Sequence, residues 1–163
     1  MVYVISKDGQ PLMPTTRYGK VRRLLKSKQA KVINRCPFTI KLLYETTSFV
    51  QETNLGVDTG SKHVGFAVYS EGKILYQSQL ELRDDIKSKM DDRRGHRRFR
   101  RQRKTRYRKP RFLNRKNSTK LNRLPPSTKS KINNHIKEIE YIKSIIPVTN
   151  LILEVAQFDT HLL

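Results

Sequence analysis

The short β-branched and aromatic run VYVIS at 2 to 6 predicts a strand, and the turn-forming KDGQP then leads into PLMP at 11 to 14. Over residues 15 to 30, TTRYGKVRRLLKSKQA, the spacing changes to that of a helix, with Val21, Leu24, Leu25 and Lys28 near one face and Thr15 or Thr16 as its N-cap. KVINR and FTIKLLYE read as two short strands, with Pro37 marking a turn or an edge between them. The tightest alternation lies in LGVDTG, HVGFAVYS and KILYQSQLEL; the Glu71–Gly72 pair joins the last two as a hairpin, so a three-stranded antiparallel sheet is expected. Apolar residues then nearly vanish from 84 to 109, where the spacing of charges fits a helix ending before Pro110. A loop with LPPS at 124 to 127 follows. Ile132, Ile136, Ile139, Ile142, Ile145 and Ile146 recur at helical spacing, predicting an amphipathic helix over 128 to 146 that lies on a sheet and is stopped by Pro147. LILEV reads as a buried strand continuing the same sheet. The class is therefore α/β, divided as 1–50, 51–83, 84–127 and 128–163.

Charge changes the picture most. In 163 residues, 35 Lys and Arg face 14 Asp and Glu, a formal net charge of +21 that repels itself unless anions neutralise it. Nucleic acid is the expected partner, because Lys and Arg that replace condensed counterions on phosphates gain free energy by releasing them. A membrane is the weaker alternative, since neither a spanning apolar run nor a cleavable leader is present, and an intracellular, cytoplasmic protein is expected. The single cysteine, Cys36, rules out an internal disulfide and reads as a small buried residue beside Pro37 and Phe38.

Three groups of residues carry candidate chemistry. Between Arg93 and Lys116, 14 of 24 residues are basic and none is acidic. Those expected to hold phosphates are Arg93, Arg94, Arg97, Arg98, Arg100, Arg101, Arg103, Lys104, Arg106, Arg108, Lys109 and Arg111, with Arg115 and Lys116 beyond them. Arginine suits this work because its planar fork donates two parallel hydrogen bonds to a phosphate. Phe99, Tyr107 and Phe112 are placed to stack on bases or to anchor the segment. In LGVDTGSK at 55 to 62, Asp58 ends a strand and is followed by a small-residue turn into a hairpin, which resembles the opening of the ribonuclease H-like superfold; Gly60 and Ser61 would let a phosphate or metal approach. Asp-Thr-Gly is equally at home in a purely structural turn. Glu154 stands in an apolar strand, where burial demands a partner or a metal unless the strand is an edge facing water. If the two strands are neighbours, Asp58 and Glu154 can share a hard cation. His63 and His135 read as exposed polar residues, His96 sits inside the arginine block and His161 lies near the end; none is singled out for catalysis.

PLMP at 11 to 14, GVDTGSK at 56 to 62, RRFRR at 97 to 101, RKTRYRKPRF at 103 to 112, LPPS at 124 to 127 and LEVAQFDT at 153 to 160 occur in an order that resembles the IscB family of RNA-guided DNA nucleases over almost the whole chain. The resemblance implies a PLMP-like N-terminal α+β domain, an incomplete RuvC fold, and an arginine-rich bridge helix that cradles a structured guide RNA. It also implies Mg2+ held by Asp58 and Glu154 as the first and second RuvC carboxylates, with target DNA as substrate. The family's HNH module and third RuvC segment have no counterpart before Leu163, so the expectation is a portion of the nuclease, inactive alone and completed by a separate polypeptide if at all. Two alternatives stand beside this: a non-catalytic guide-RNA-binding module, and a fragment of an actin-like or sugar-kinase-like ATPase, whose first phosphate loop GVDTGS also resembles.

Overall fold

Val2 and Val4 on one strand, Ile40 and Leu42 on another, and Val21 on a helix supply the apolar positions of a first small core. The computed structural model describes residues 1–103 and 124–155. Within these, β1 (Val2–Ile5), β2 (Pro11–Thr15), α1 (Tyr18–Lys26), β3 (Ala30–Asn34) and β4 (Thr39–Leu42) form the N-terminal part. Its sheet runs β2-β1-β4-β3, with β1 parallel to β4 and the other pairs antiparallel. α1 is shorter than the periodicity predicts. It has no side-chain cap at its start, where Thr15 Oγ1 instead accepts a hydrogen bond from Arg17 N. It ends at Lys26 because Lys28 turns into the left-handed region (φ 57°), so Lys28 is exposed beyond the helix and leaves its apolar face. Cys36 is exposed, not buried: it sits in the β3–β4 turn before a cis Pro37, where Asn34 hydrogen-bonds its N and O.

The second sheet comprises β5 (Asn54–Thr59), β6 (His63–Ser70), β7 (Lys73–Glu81) and β8 (Asn150–Glu154), in the order β7-β6-β5-β8. The antiparallel β5-β6-β7 meander matches the alternation in the sequence, and β8 adds parallel to β5. Leu55, Val57, Val64, Phe66 and Val68 alternate onto one face of this sheet and are buried there with Ile142, Ile145 and Ile146. Those isoleucines end the helix α3 (Pro126–Ile145) and the residue after it. The isoleucine pattern overstates the contact: Ile132 and Ile136 are exposed, Ile139 is half-buried, and only the last turns enter the core. β8 also differs from expectation. It is an edge strand in the described sheet, with Leu151, Ile152 and Leu153 exposed rather than buried.

The chain divides into two compact units, residues 1–82 with 134–163, and residues 83–133. In the first, the two sheets meet at tyrosines. Tyr3 of β1 lies in the second sheet's core, donates its hydroxyl to Leu75 O at 3.1 Å and stands edge-on to Tyr76 with ring centroids 6.1 Å apart. Burial pushes the Tyr3 hydroxyl pKa up, and Tyr76 and Tyr141 nearby push it further. The second unit includes α2 (Ile86–Arg103), which has no buried residue and therefore no core of its own. Among the described residues no helix is long and apolar enough to cross a membrane.

Candidate functional site

The β5–β6 turn fixes where Asp58 stands. Residues 60–62 reverse the chain so tightly that a Cβ on Gly60 would lie 2.2 Å from the His63 carbonyl oxygen. Gly60 is therefore required by the hairpin's own backbone, and the space above it does not have to be explained by a phosphate. At the other end of β5 the buried Thr53 anchors the pairing with β8: its carbonyl accepts from Thr149 N at 3.1 Å and Asn150 N at 3.0 Å, and its hydroxyl donates to Pro147 O. Thr59 Oγ1 donates to Glu154 O at 2.8 Å, tying the far ends of the two strands together.

Strand parity then sorts the side chains. Leu55 and Val57 face the core, so Gly56 and Asp58 face the other way. Asp58 pairs with Gly65 on β6 and with Glu154 on β8, and Gly65 pairs with Gln79 on β7. One rung across the sheet thus reads Gln79, Gly65, Asp58, Glu154. In-register neighbours on parallel strands project to one face about 4.8 Å apart, within reach of a shared cation. Both carboxylates line a cavity of about 740 Å³ on this open face, with Gly56, Gly65 and Ala67 as its small-residue floor. Next to Asp58 the floor is low because Gly65 has no side chain; a Cβ there would meet Asp58 Cβ at 3.6 Å.

Both carboxylates are exposed. The buried environment that would have forced Glu154 to find a partner is absent, because β8 lies at the edge. Oxygen donors of this kind suit Mg2+, which keeps several of its waters and takes one or two carboxylates. Among the described residues no third His, Cys, Asp or Glu joins them in a metal-binding group. The cavity also takes in His63, Gln77 and Gln79, which the sequence pattern alone did not single out as site residues. Their signal was parity: within HVGFAVYS and KILYQSQLEL each falls on the face opposite the buried residues.

Of the basic residues proposed for phosphate binding, Arg93, Arg94, Arg97, Arg98, Arg100, Arg101 and Arg103 lie on α2 and are all exposed. At 100° per residue these seven cover an arc of roughly 220°, leaving the remainder to Gly95, Phe99 and Gln102. Phe99 is exposed. Arg94 is held by Asp91 at 3.0 Å and Arg97 Nε donates to Arg93 O at 3.1 Å, while the acidic residue nearest the helix start, Asp85, is already taken by Arg83 and Lys89. Hydrogen bonds from Arg83 first and Lys89 second hold the Asp85 carboxyl well below the usual carboxylate range. Lys104, Arg106, Arg108, Lys109, Arg111, Arg115 and Lys116 lie outside the described residues.

A family model described as RRXRR protein matches residues 2–163. No curated protein matches the chain.

Proposed function

The chain belongs to the RRXRR protein family, and we propose that it is the nucleic-acid-binding N-terminal portion of an IscB-type RNA-guided DNA endonuclease, carrying part of a RuvC metal site. The observation that carries this reading is α2: seven exposed arginines within eleven residues, on a helix with no buried residue among the described ones. RRFRR, the motif after which the family is called, lies on this helix. A structured guide RNA supplies the phosphates, and target DNA is the substrate class.

The open face of the second sheet supports the nuclease half of the reading. Asp58 and Glu154 would hold Mg2+, which when bound supplies Lewis-acid stabilisation of charge on a phosphoryl oxygen. The protein's own part is positional: the Thr53 and Thr59 hydrogen bonds keep β5 and β8 in register, and the register brings the carboxylates to one place. A non-catalytic guide-RNA-binding module is the second reading. It is favoured by the exposure of both carboxylates, because an open two-carboxylate site holds a cation weakly.

The test is binding of a structured RNA as a function of salt. Replacing Arg97, Arg98, Arg100 and Arg101 by alanine keeps helix propensity and removes four charges. The log–log salt dependence should flatten by roughly 3, at about 0.7 to 0.9 for each phosphate that is no longer neutralised. Unchanged affinity and slope would overturn the proposal.

A further inference from the structure

Between Asp8 and Glu45 the chain contains nine Lys and Arg and no acidic residue, a second basic block separate from the one on α2. Its centre is α1. At 100° per residue Val21, Leu24 and Leu25 fall on one side of this helix, while Lys20, Arg22, Arg23 and Lys26 occupy the other. The apolar side is already used: Val21 is buried in the N-terminal core and Leu24 and Leu25 pack against that core. The four cations of the outward side are exposed, as are Arg17 before the helix and Lys28 after it. None of these six has an ion-pair partner among the described residues.

A surface helix ordinarily interleaves Glu with Lys, which stabilises it through pairs three or four residues apart. Within α1 and its flanking residues every charge is positive, and an anion from outside relieves the mutual repulsion. Helices that bind bilayers sink an apolar face into the lipid, and α1 has none to spare. Unpaired strands are gripped by aromatic rings that stack on bases. Tyr18 is the only ring on α1, and one ring is no stacking platform for successive bases. What remains is a row of cations on one helix, whose positions from Lys20 to Lys26 span roughly 9 Å, and such a row suits the regularly placed phosphates of a base-paired backbone.

We infer that the outward face of α1 is a second nucleic-acid contact, one that grips the phosphate backbone of a base-paired RNA stem through Lys20, Arg22, Arg23 and Lys26. The choice of RNA over DNA rests on the proposed function, since a resident guide would neutralise this charge permanently. The contact itself rests on α1 alone.

The experiment uses the full chain, a K20Q/R22Q/R23Q/K26Q variant, the alanine variant of α2 described above, and a variant that combines the two sets. Glutamine removes charge while keeping helix propensity, and circular dichroism with a urea melt confirms that the fold is retained. The probes are a fully paired RNA hairpin, a DNA hairpin of the same sequence, and vesicles of mixed phosphatidylserine and phosphatidylcholine. The α1 variant should bind the RNA hairpin with a salt slope flatter by roughly 3, whether α2 is intact or substituted. Wild-type affinity and slope in the α1 variant would overturn the inference while leaving the α2 reading standing. Weaker binding by the α1 variant with no weakening in the α2 variant would support the inference and sink the other. Tighter binding to the DNA hairpin would overturn the assignment to RNA, and vesicle binding abolished by the glutamines would overturn the assignment to nucleic acid.

Discussion

Substituting alanine at Gly60 separates the two explanations of the Asp-Thr-Gly motif. If the glycine is there to let a phosphate or metal approach, Gly60→Ala should leave the fold intact and impair binding. The geometry gives the opposite order. The new Cβ would sit 2.2 Å from the His63 carbonyl oxygen and 3.4 Å from its carbon. A carbon and a carbonyl oxygen normally approach to about 3.3 to 3.6 Å, so roughly 1 Å of movement is needed. The obstructing atom is backbone, so the turn itself must open, disturbing first the Thr59–Val64 pair and then the Asp58–Gly65 pair. Forcing an extra methyl into such a place costs about 1 to 3 kcal/mol, which with an m-value of about 2 kcal/mol/M lowers the urea midpoint by about 0.5 to 1.5 M. Gly65→Ala is the matched control. Its Cβ would meet Asp58 Cβ at 3.6 Å and Oδ2 at 4.0 Å, an ordinary contact, so stability should hold while access to Asp58 narrows. Equilibrium urea unfolding of both variants, followed by Mn2+ titration, decides the matter. A Gly60→Ala protein within about 0.5 kcal/mol of wild type, the usual range for harmless surface changes, would refute the steric reasoning.

Thr53→Val should cost about 1 to 3 kcal/mol in urea unfolding, because it removes the two hydrogen bonds that the buried Thr53 hydroxyl makes with Pro147 O and Thr149 N at the β5–β8 junction. Ile142→Ala should cost about 2 to 5 kcal/mol and Ile132→Ala under about 0.5, since the first is fully buried and the second exposed; equal effects would place the helix wrongly. Asp58→Asn and Glu154→Gln should each abolish Mn2+-induced changes seen by nuclear magnetic resonance, and the isolated chain should not nick guided DNA; magnesium-dependent nicking that disappears on Asp58→Ala would show that these two carboxylates suffice. Burial raises the Tyr3 pKa in the folded state, so its ionisation favours unfolding. Stability should therefore fall as pH rises above about 10, the ordinary tyrosine value, and Tyr3→Phe should blunt that fall in a pH series of urea melts.

The meander of β5, β6 and β7 was legible because alternation is a local property: each residue's face is set by its neighbours two positions away. Partner and environment are not local. The six isoleucines of α3 share a period, yet the period says only that they lie on one stripe, and the surface available to cover that stripe begins at Ile139. LILEV has the composition of a strand covered on both sides, but composition does not report position in the sheet, and β8 takes the edge. Cys36 has a side chain that prefers burial, and the turn that carries it decides otherwise. The pairing of Asp58 with Glu154 lies between these cases. Each carboxylate could be singled out from its own strand, while the register joining them depends on hydrogen bonds about 95 residues apart in the chain, made by Thr53 with Pro147 and Thr149 and by Thr59 with Glu154. Those threonines are ordinary β-branched strand residues by sequence and carry no chemistry of their own. Their hydroxyls nevertheless set whether two separately encoded acids meet, because a one-residue slip of β8 would turn Glu154 to the opposite face from Asp58.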